Sequence, residues 1–195
     1  MDGGLVIGGA VLIVFVIIVG VIAVAGLWLL VTYNGLVSLR NQVKNAWAQI
    51  DVQLKRRYDL IPNIVETVKG YAAHEKDTLE RVVKARQAGI DASTVRDQAA
   101  AENMITGALR QLFALSEAYP NLKANENFLA LQEELSATEN RISFSRQYYN
   151  DTVQNFNTRQ QQFPANMVSG MFGFQPADFF EIEMAAEREA PKVRF

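Results

Sequence analysis

The uncharged stretch near the amino terminus limits what this chain can fold into more than any other feature. No Asp, Glu, Lys or Arg occurs from Gly3 to Leu39, and the part from Leu5 to Val31 is almost wholly apolar. A helix over that part would be about 40 Å long, which exceeds the roughly 30 Å hydrocarbon core of a bilayer. Trp28 and Tyr33 lie at its end, where aromatic rings favour the headgroup level. Residues 1–33 are therefore predicted to be a transmembrane anchor with a short amino-terminal tail.

A cleaved signal peptide is the competing interpretation of the same stretch. Ala23-Val24-Ala25 resembles the small-residue site at which such peptides are cut. However, the amino-terminal flank carries Asp2 instead of Lys or Arg, and the apolar run continues past the site through Trp28 to Val31. We therefore expect the anchor to be retained.

The distribution of basic residues predicts the orientation of the anchor. No Lys or Arg precedes the span, whereas Arg40 and Lys44 follow it closely. By the positive-inside rule, the amino terminus lies outside and the large domain is cytoplasmic. Gly4 and Gly8 have the spacing that lets two membrane helices approach closely, which makes them candidate oligomer contacts. The alternative is that they only reflect glycine content.

Helical periodicity predicts an all-α domain after the anchor. No proline occurs before Pro62, so the anchor is expected to continue into the first soluble helix, which Pro62 should end. From Phe128 onward, large apolar residues recur every seven positions, which is typical of a coiled-coil seam. With short connections, the economical fold is an antiparallel up-down four-helix bundle. The bundle domain is predicted to span residues 34–162, with helices at about 34–58, 60–88, 93–119 and 124–162. The remaining segment, 163–195, forms an aromatic-rich tail.

Composition excludes several classes of function. The chain has no cysteine and one histidine, His74, so it lacks the residues for thiolate metal sites and for the paired histidines of di-iron bundles. The net charge of −2 gives no basic field for nucleic acid. The glycine-containing run 170–173 lacks the Lys and Ser of a phosphate-binding loop. We therefore expect no cofactor, no metal and no small-molecule substrate, and we expect His74 and Glu75 to make a local polar contact at a turn.

Charged residues near the first corner and on the seam suggest an internal ionic network that fixes helix register. The candidate members are Asp51, Arg56, Arg57, Asp59, Glu139 and Arg146. Buried polar groups can specify pairing at some cost in stability. The alternative is an exposed charged face, in which each pair contributes little.

The tail concentrates large apolar groups between glycines and prolines. Its candidate contact residues are Phe163, Met171, Phe172 and Phe174. Three interpretations remain open: packing over the end of the bundle, contact with a neighbouring subunit, and contact with lipid.

Several sequence strings resemble the LemA family of proteins. The most specific is Ala46-Trp47-x-x-Ile50-Asp51-Val52-x-Leu54-x-Arg56-Arg57-x-Asp59-Leu60-Ile61-Pro62-Asn63, and further matches include Val68-Lys69-Gly70-Tyr71 and Tyr119-Pro120-x-Leu122-Lys123-Ala124-Asn125. The resemblance extends over nearly the whole chain from Tyr33. It implies a bacterial membrane protein with one amino-terminal span and a bundle of long helices, and we expect this chain in the inner membrane. It implies no catalytic residue set.

The expected function is that of a non-enzymatic scaffold at the lipid bilayer, assembled as a homo-oligomer through its anchor and tail. The alternative is an adaptor or regulatory subunit that binds another membrane protein, such as an envelope protease or stress system. An enzyme is the third hypothesis, and it remains only because a missing motif does not prove a missing activity.

Overall fold

The computed structural model describes residues 3–181, with side-chain surroundings from Leu12 onward, and every regular element in that part is helical. The helices are α1 (Gly3–Lys69), α2 (Lys76–Asp91), α3 (Val95–Ala118), α4 (Pro120–Lys123), α5 (Glu126–Gln161) and α6 (Ala165–Met171). The all-α prediction is therefore confirmed for these residues. The up-down order of a four-helix bundle and the division into anchor, bundle and tail stay predictions.

Helix α1 continues from the apolar amino-terminal stretch into the polar part of the chain without a break. It is 67 residues long, and its apolar part is long enough to cross a membrane. Among the described residues, the large apolar side chains from Leu12 to Val31 are exposed, except for the half-buried Leu29, so the described chain leaves most of this surface uncovered. Such a surface is stable only in contact with lipid or with other apolar groups. This helix fits the predicted membrane anchor.

The prediction that the first soluble helix ends at Pro62 is wrong, because α1 continues through Pro62 to Lys69. Proline has no N–H to donate to the carbonyl four residues earlier, which here belongs to Tyr58. The Nε of Arg86, on α2, donates to that oxygen at 2.7 Å and replaces the missing bond. Ile61 and Ile64, on either side of the proline, are fully buried and hold the segment in the core.

The chain therefore turns at residues 70–75, and the second helix begins at Lys76 instead of near residue 60. Helices α3 and α5 begin and end within two residues of the predicted bounds, and the separate turn α4 precedes α5.

The described chain divides into two compact units. The first contains the residues up to Gln42 together with Gln154–Ala177, and the second contains Val43–Val153 with the segment from Asp178. Helices α1 and α5 each contribute to both.

The seven-residue repeat of α5 supplies core residues to the second unit. Three of its members, Leu135, Ile142 and Tyr149, are almost completely buried. Thr138 lies between Leu135 and Ile142, and Thr152 follows Tyr149; each hydroxyl donates to the carbonyl four residues earlier in the same helix. Each of these buried hydroxyls therefore has a partner within its own helix. The last member of the repeat, Phe163, lies beyond the end of α5 and is exposed.

Asparagine side chains on α5 hold the segment that follows α6 in an extended course. In the first unit, the Asn157 side chain accepts from the N–H of Ala177 and donates to its C=O, both at 2.9 Å. In the second unit, Asn150 makes the same pair of bonds with Phe180. An amide side chain thus replaces a neighbouring strand and satisfies the backbone groups of an irregular segment.

Candidate functional site

A buried group of polar residues lies at the centre of the second unit, and we call it the Arg57 cluster. It consists of Arg57 and Tyr58 from α1, Gln98, Glu102 and Thr106 from α3, and Glu139 from α5. Arg57 is buried because it follows Leu54 and precedes Ile61 in the apolar stripe of α1. Gln98 and Glu102 are buried because they share one face of α3 with Ile105, Leu109 and Leu112.

The guanidinium of Arg57 is held by side chains from two other helices. Its Nη1 donates to Glu102 Oε2 at 3.0 Å, and its Nη2 donates to Thr106 Oγ1 at 2.9 Å. Nη1 also lies 2.8 Å from Glu139 Oε2, as an ion pair without hydrogen-bond alignment. Arg57 is 3% exposed and Glu102 is 1% exposed, so water screens their charges little. The cluster therefore connects α1, α3 and α5 at one level.

Tyr58 forms a hydrogen bond with the other carboxylate oxygen of Glu102. Its hydroxyl donates to Glu102 Oε1 and accepts from Gln98 Nε2 at 2.6 Å, and Gln98 also reaches the carbonyl of Gly89 at 3.3 Å. Gly89, on α2, leaves space for the tyrosine, since a Cβ there would lie 2.7 Å from the Tyr58 hydroxyl. The glycine is thus needed for close approach of α2 to α1.

Burial dominates the electrostatics of the cluster. It raises the pKa of Glu102 above the ordinary value, although the charge of Arg57 and the hydrogen bonds from Tyr58 and Gln98 act in the opposite direction. Burial, followed by the charge of Glu102, also raises the pKa of Tyr58 far above that of a free tyrosine. Tyr58 therefore stays protonated and acts as a donor at physiological pH.

The open side of the cluster faces a shallow groove of about 290 Å³. Arg110, Ser136 and Asn140 line this groove together with Arg57, Thr106 and Glu139. Among the residues that the structure describes, no group of His, Asp and Glu side chains is arranged to hold a metal ion. Because the guanidinium and the Glu102 carboxylate are already bound to each other and to neighbours, the arrangement is suited to fixing helix positions.

The histidine predicted to lie at a turn is exposed on the surface, between α1 and α2. Its neighbour Glu75 is half-buried and accepts a hydrogen bond from the Tyr119 hydroxyl at 3.0 Å, which raises the pKa of Tyr119. Close by in the chain, the Tyr71 hydroxyl accepts from Asn125, whose side-chain oxygen caps the start of α5 at the Phe128 N–H. Glu75 and Tyr71 thus tie the first turn to residues 119–128.

The structure brings together two of the six residues expected to form an ionic network, Arg57 and Glu139. Arg56 pairs with Glu134 on the surface instead. Asp51 and Asp59 are exposed and Arg146 is half-buried, and none of the three forms an ion pair with a described residue. The functional role of these six residues stays a prediction.

Sequence reasoning missed Tyr58, Gln98 and Glu102. A usable signal was present, because Gln98, Glu102 and Ile105 follow the four-three spacing of a buried face that continues to Leu109 and Leu112. A glutamate at such a position is normally interpreted as a solvated charge, and its main charged partner, Arg57, lies 45 positions earlier in the sequence.

In the first unit, the aromatic residues of the tail contact the anchor helix. The Tyr33 ring lies 4.7 Å from Phe172 and 5.8 Å from Phe174, measured between ring centroids. The Arg40 guanidinium lies 5.3 Å from the Phe174 ring, within cation–π range. Phe163 and Met171 remain exposed. Gly4 and Gly8 lie outside the residues whose surroundings are described, so their contact role stays a prediction.

Comparison with known proteins identifies relatives of the chain. A family model described as LemA family matches residues 46–195. Protein LemA of Metamycoplasma hominis is 26% identical over 164 residues, which cover 82% of this chain and 71% of that protein. Magnetosome proteins MamQ 1 and MamQ 2 of Paramagnetospirillum magneticum are each 22% identical over 185 residues, covering 82% of this chain and 68% of theirs.

Proposed function

The chain belongs to the LemA family, and we propose that it is a membrane-anchored helical scaffold that assembles with further copies of itself. The names of the relatives describe no reaction, which agrees with a non-enzymatic role. The apolar surface of α1 and the hydrogen bonds by which the residues of the Arg57 cluster bind one another also favour an architectural role.

The observation that carries the proposal is an exposed aromatic pair on α5. Phe144 is 74% exposed and Tyr148, one turn further along the same helix, is 51% exposed. Large apolar rings in contact with water are unfavourable, and aromatic residues are enriched at protein–protein contacts. A second copy of the chain is the partner we propose for this pair.

Tethering of the copies in one membrane strengthens association through this patch. Copies held by their anchors share a plane and an orientation, so association has less translational and rotational freedom to lose. Contacts between the anchors, for which Gly4 and Gly8 are candidates, would add to those of the aromatic pair.

Site-specific photo-cross-linking in cells tests this proposal. A photoreactive phenylalanine analogue replaces Phe144, and the same analogue replaces the exposed residue Glu80 on α2 as the control. We expect an adduct with twice the mass of the chain at position 144 and little at position 80. If position 144 gives no adduct with a second copy, while anchored protein is present in normal amounts, the aromatic pair is not a self-association contact.

A groove at the end of α1 supports the alternative role as an adaptor. It has a volume of about 500 Å³, and its lining includes apolar Val65, Leu79 and Val83 with Lys69 and Lys76. The rim also includes Lys84 and one acidic residue, Glu80, so it is mainly basic. With its apolar floor, the groove fits an amphipathic segment that carries acidic residues. Under this alternative, the analogue at Val83 forms an adduct with a different protein, and Lys76→Glu weakens it. An adduct only with a second copy would favour self-assembly.

The orientation of the anchor is part of the same proposal. Basic residues follow the span and none precedes it, so we place the amino terminus outside and the helical domain in the cytoplasm of a bacterial inner membrane. A reporter that requires the cytoplasm should be active when it is fused after Phe195. A reporter that requires the periplasm should be inactive at the same position. A periplasm-dependent reporter that is active at this position would reverse the orientation.

A further inference from the structure

The short helix α6 exposes its largest apolar residues, on the side that would be polar if the helix faced water. Its buried side consists of the small residues Ala165, Val168 and Ser169. Its exposed side carries Met167 and Met171, at 62% and 70% exposure, and Phe163 just before the helix is 81% exposed. A helix on the surface of a soluble domain shows the opposite order, with large apolar groups inside. We call Phe163, Met167 and Met171 the α6 surface.

The segment that contains the α6 surface is also free of charge. No Asp, Glu, Lys or Arg occurs between Arg159 and Asp178, although a fifth of the residues in the whole chain are charged. A surface in contact with water seldom lacks charges over such a length, whereas the headgroup–acyl boundary of a bilayer disfavours buried charge.

Contacts within the first unit place this segment beside the exit of the anchor from the membrane. Tyr33 follows the apolar stretch by two residues, and its ring packs against Phe172 and Phe174, directly after α6. Arg40, the first charged residue after the span, lies against the Phe174 ring. The residues that join α6 to α1 are therefore those that mark the bilayer boundary.

We infer that the α6 surface inserts into the headgroup–acyl boundary of the leaflet from which α1 emerges, as a second membrane contact. The partner is the lipid surface, because α6 adjoins the membrane span, carries no charge and directs its largest apolar groups outward. The thioether side chains of Met167 and Met171 are unbranched and can adapt to a fluid surface. The tail thus contacts both its own anchor, through Phe172 and Phe174, and lipid, through the α6 surface.

Because the chain has no cysteine, a single nitroxide label can be attached at any chosen position. The variants are Met167→Cys, Met171→Cys and, as a matched control, Met104→Cys on α3. Met104 is also an exposed methionine, and it lies in a groove with Arg81 and Lys84, as expected of a side chain in water. Each full-length variant is placed in nanodiscs of phosphatidylcholine and phosphatidylglycerol that hold one copy.

Collision rates with oxygen, which concentrates in lipid, and with a water-soluble nickel chelate report the surroundings of each label. We expect the oxygen-to-nickel ratio to be several-fold higher at positions 167 and 171 than at position 104. Equal ratios at all three positions overturn the inference. Equal ratios in single-copy discs together with spin–spin broadening in multi-copy discs also overturn it, and assign the α6 surface to a second copy. Because single-copy discs contain no oligomer, failure of the self-assembly proposal leaves this result unaffected.

Discussion

Arg57 and Arg56 are adjacent in sequence but have opposite surroundings. Arg57 is enclosed with Glu102 and Thr106, whereas Arg56 forms a half-exposed pair with Glu134. Removing one partner of a buried ion pair leaves an uncompensated charge, while a surface pair is screened by water. The two arginines therefore allow a comparison in which helix position and residue type stay almost constant.

Replacement of Arg57 should cost far more stability than replacement of Arg56. We expect Arg57→Met to lower the free energy of unfolding by about 3–5 kcal/mol and Arg56→Met by about 0–1 kcal/mol. Urea unfolding in mild detergent, followed by circular dichroism, measures both. If Arg57→Met does not accumulate, Arg57→Met combined with Glu102→Gln should recover part of the folded protein, since it removes the unpaired charge. Equal losses for the two single variants would contradict a structural role of the cluster.

The raised pKa of Glu102 gives its contribution to stability a defined pH dependence. The folded protein holds this proton more tightly than the unfolded chain, whose carboxyl has the ordinary glutamate pKa of 4.5. The associated stability is therefore fully present below that value and is lost as the pH rises through the raised folded pKa. Glu102→Gln removes this titration.

We accordingly expect the stability of the wild type relative to Glu102→Gln to fall as the pH is raised from about 4.5. Unfolding curves across this range for both proteins measure the difference. Glu80→Gln, at an exposed position outside the Arg57 cluster, is the control for the removal of a carboxylate. A difference that stays constant or grows with pH would show that the folded pKa of Glu102 is not raised.

Contacts between α1 and α2 depend on two residue types that are unfavourable inside a helix, a glycine and a proline. Gly89 lets the Tyr58 phenol approach α2, and Arg86 replaces the hydrogen bond that Pro62 cannot donate. Both contacts lie near the Arg57 cluster, and each joins residues that are far apart in the sequence.

Two glycines in helices should respond in opposite directions to substitution by alanine. At Gly89, the new methyl group would collide with the Tyr58 ring, which Glu102 and Gln98 hold in place, and we expect a loss of about 1–3 kcal/mol. At Gly107, on α3, a Cβ meets nothing within 4 Å, and we expect a gain of up to about 1 kcal/mol from helix propensity. Thermal and urea unfolding measure both. A stabilising Gly89→Ala would contradict the close approach.

The Pro62 and Arg86 substitutions should be coupled. In the wild type, Arg86→Met leaves the Tyr58 carbonyl without its partner and should cost about 1–3 kcal/mol. In a Pro62→Ala background, the restored N–H of residue 62 can bond that carbonyl, so the same substitution should cost less. A double-mutant cycle gives the coupling energy. Additive effects would show that Arg86 does not compensate for the proline.

These elements also mark what the sequence can and cannot predict. The repeat of α5 could be identified because Leu135, Ile142 and Tyr149 form a local pattern at constant spacing. The passage of α1 through Pro62 could not, because the compensating Arg86 lies 24 positions further along and reaches Tyr58 only after folding. The burial of Glu102 also depends on a partner that is distant in the sequence, and so does the packing of Phe172 on Tyr33.

The dominant property of the whole molecule is apolar surface that the described chain does not cover. It includes the side of α1 from Leu12 to Val31, the α6 surface, and the pair Phe144 and Tyr148 on α5. We assign the first two to lipid and the third to a second copy. The charged interior of the second unit fixes the part of α5 that carries Phe144 and Tyr148.

Light scattering coupled to size exclusion in mild detergent tests this self-assembly most directly. The chain has a mass of 21.8 kDa, and the account predicts a protein mass that is two or more times this value. The mass should fall towards 21.8 kDa when Phe144 and Tyr148 are both replaced by serine, but not when Val52, an exposed residue on α1, is replaced in the same way. A wild-type protein that elutes at 21.8 kDa at every concentration would contradict the account.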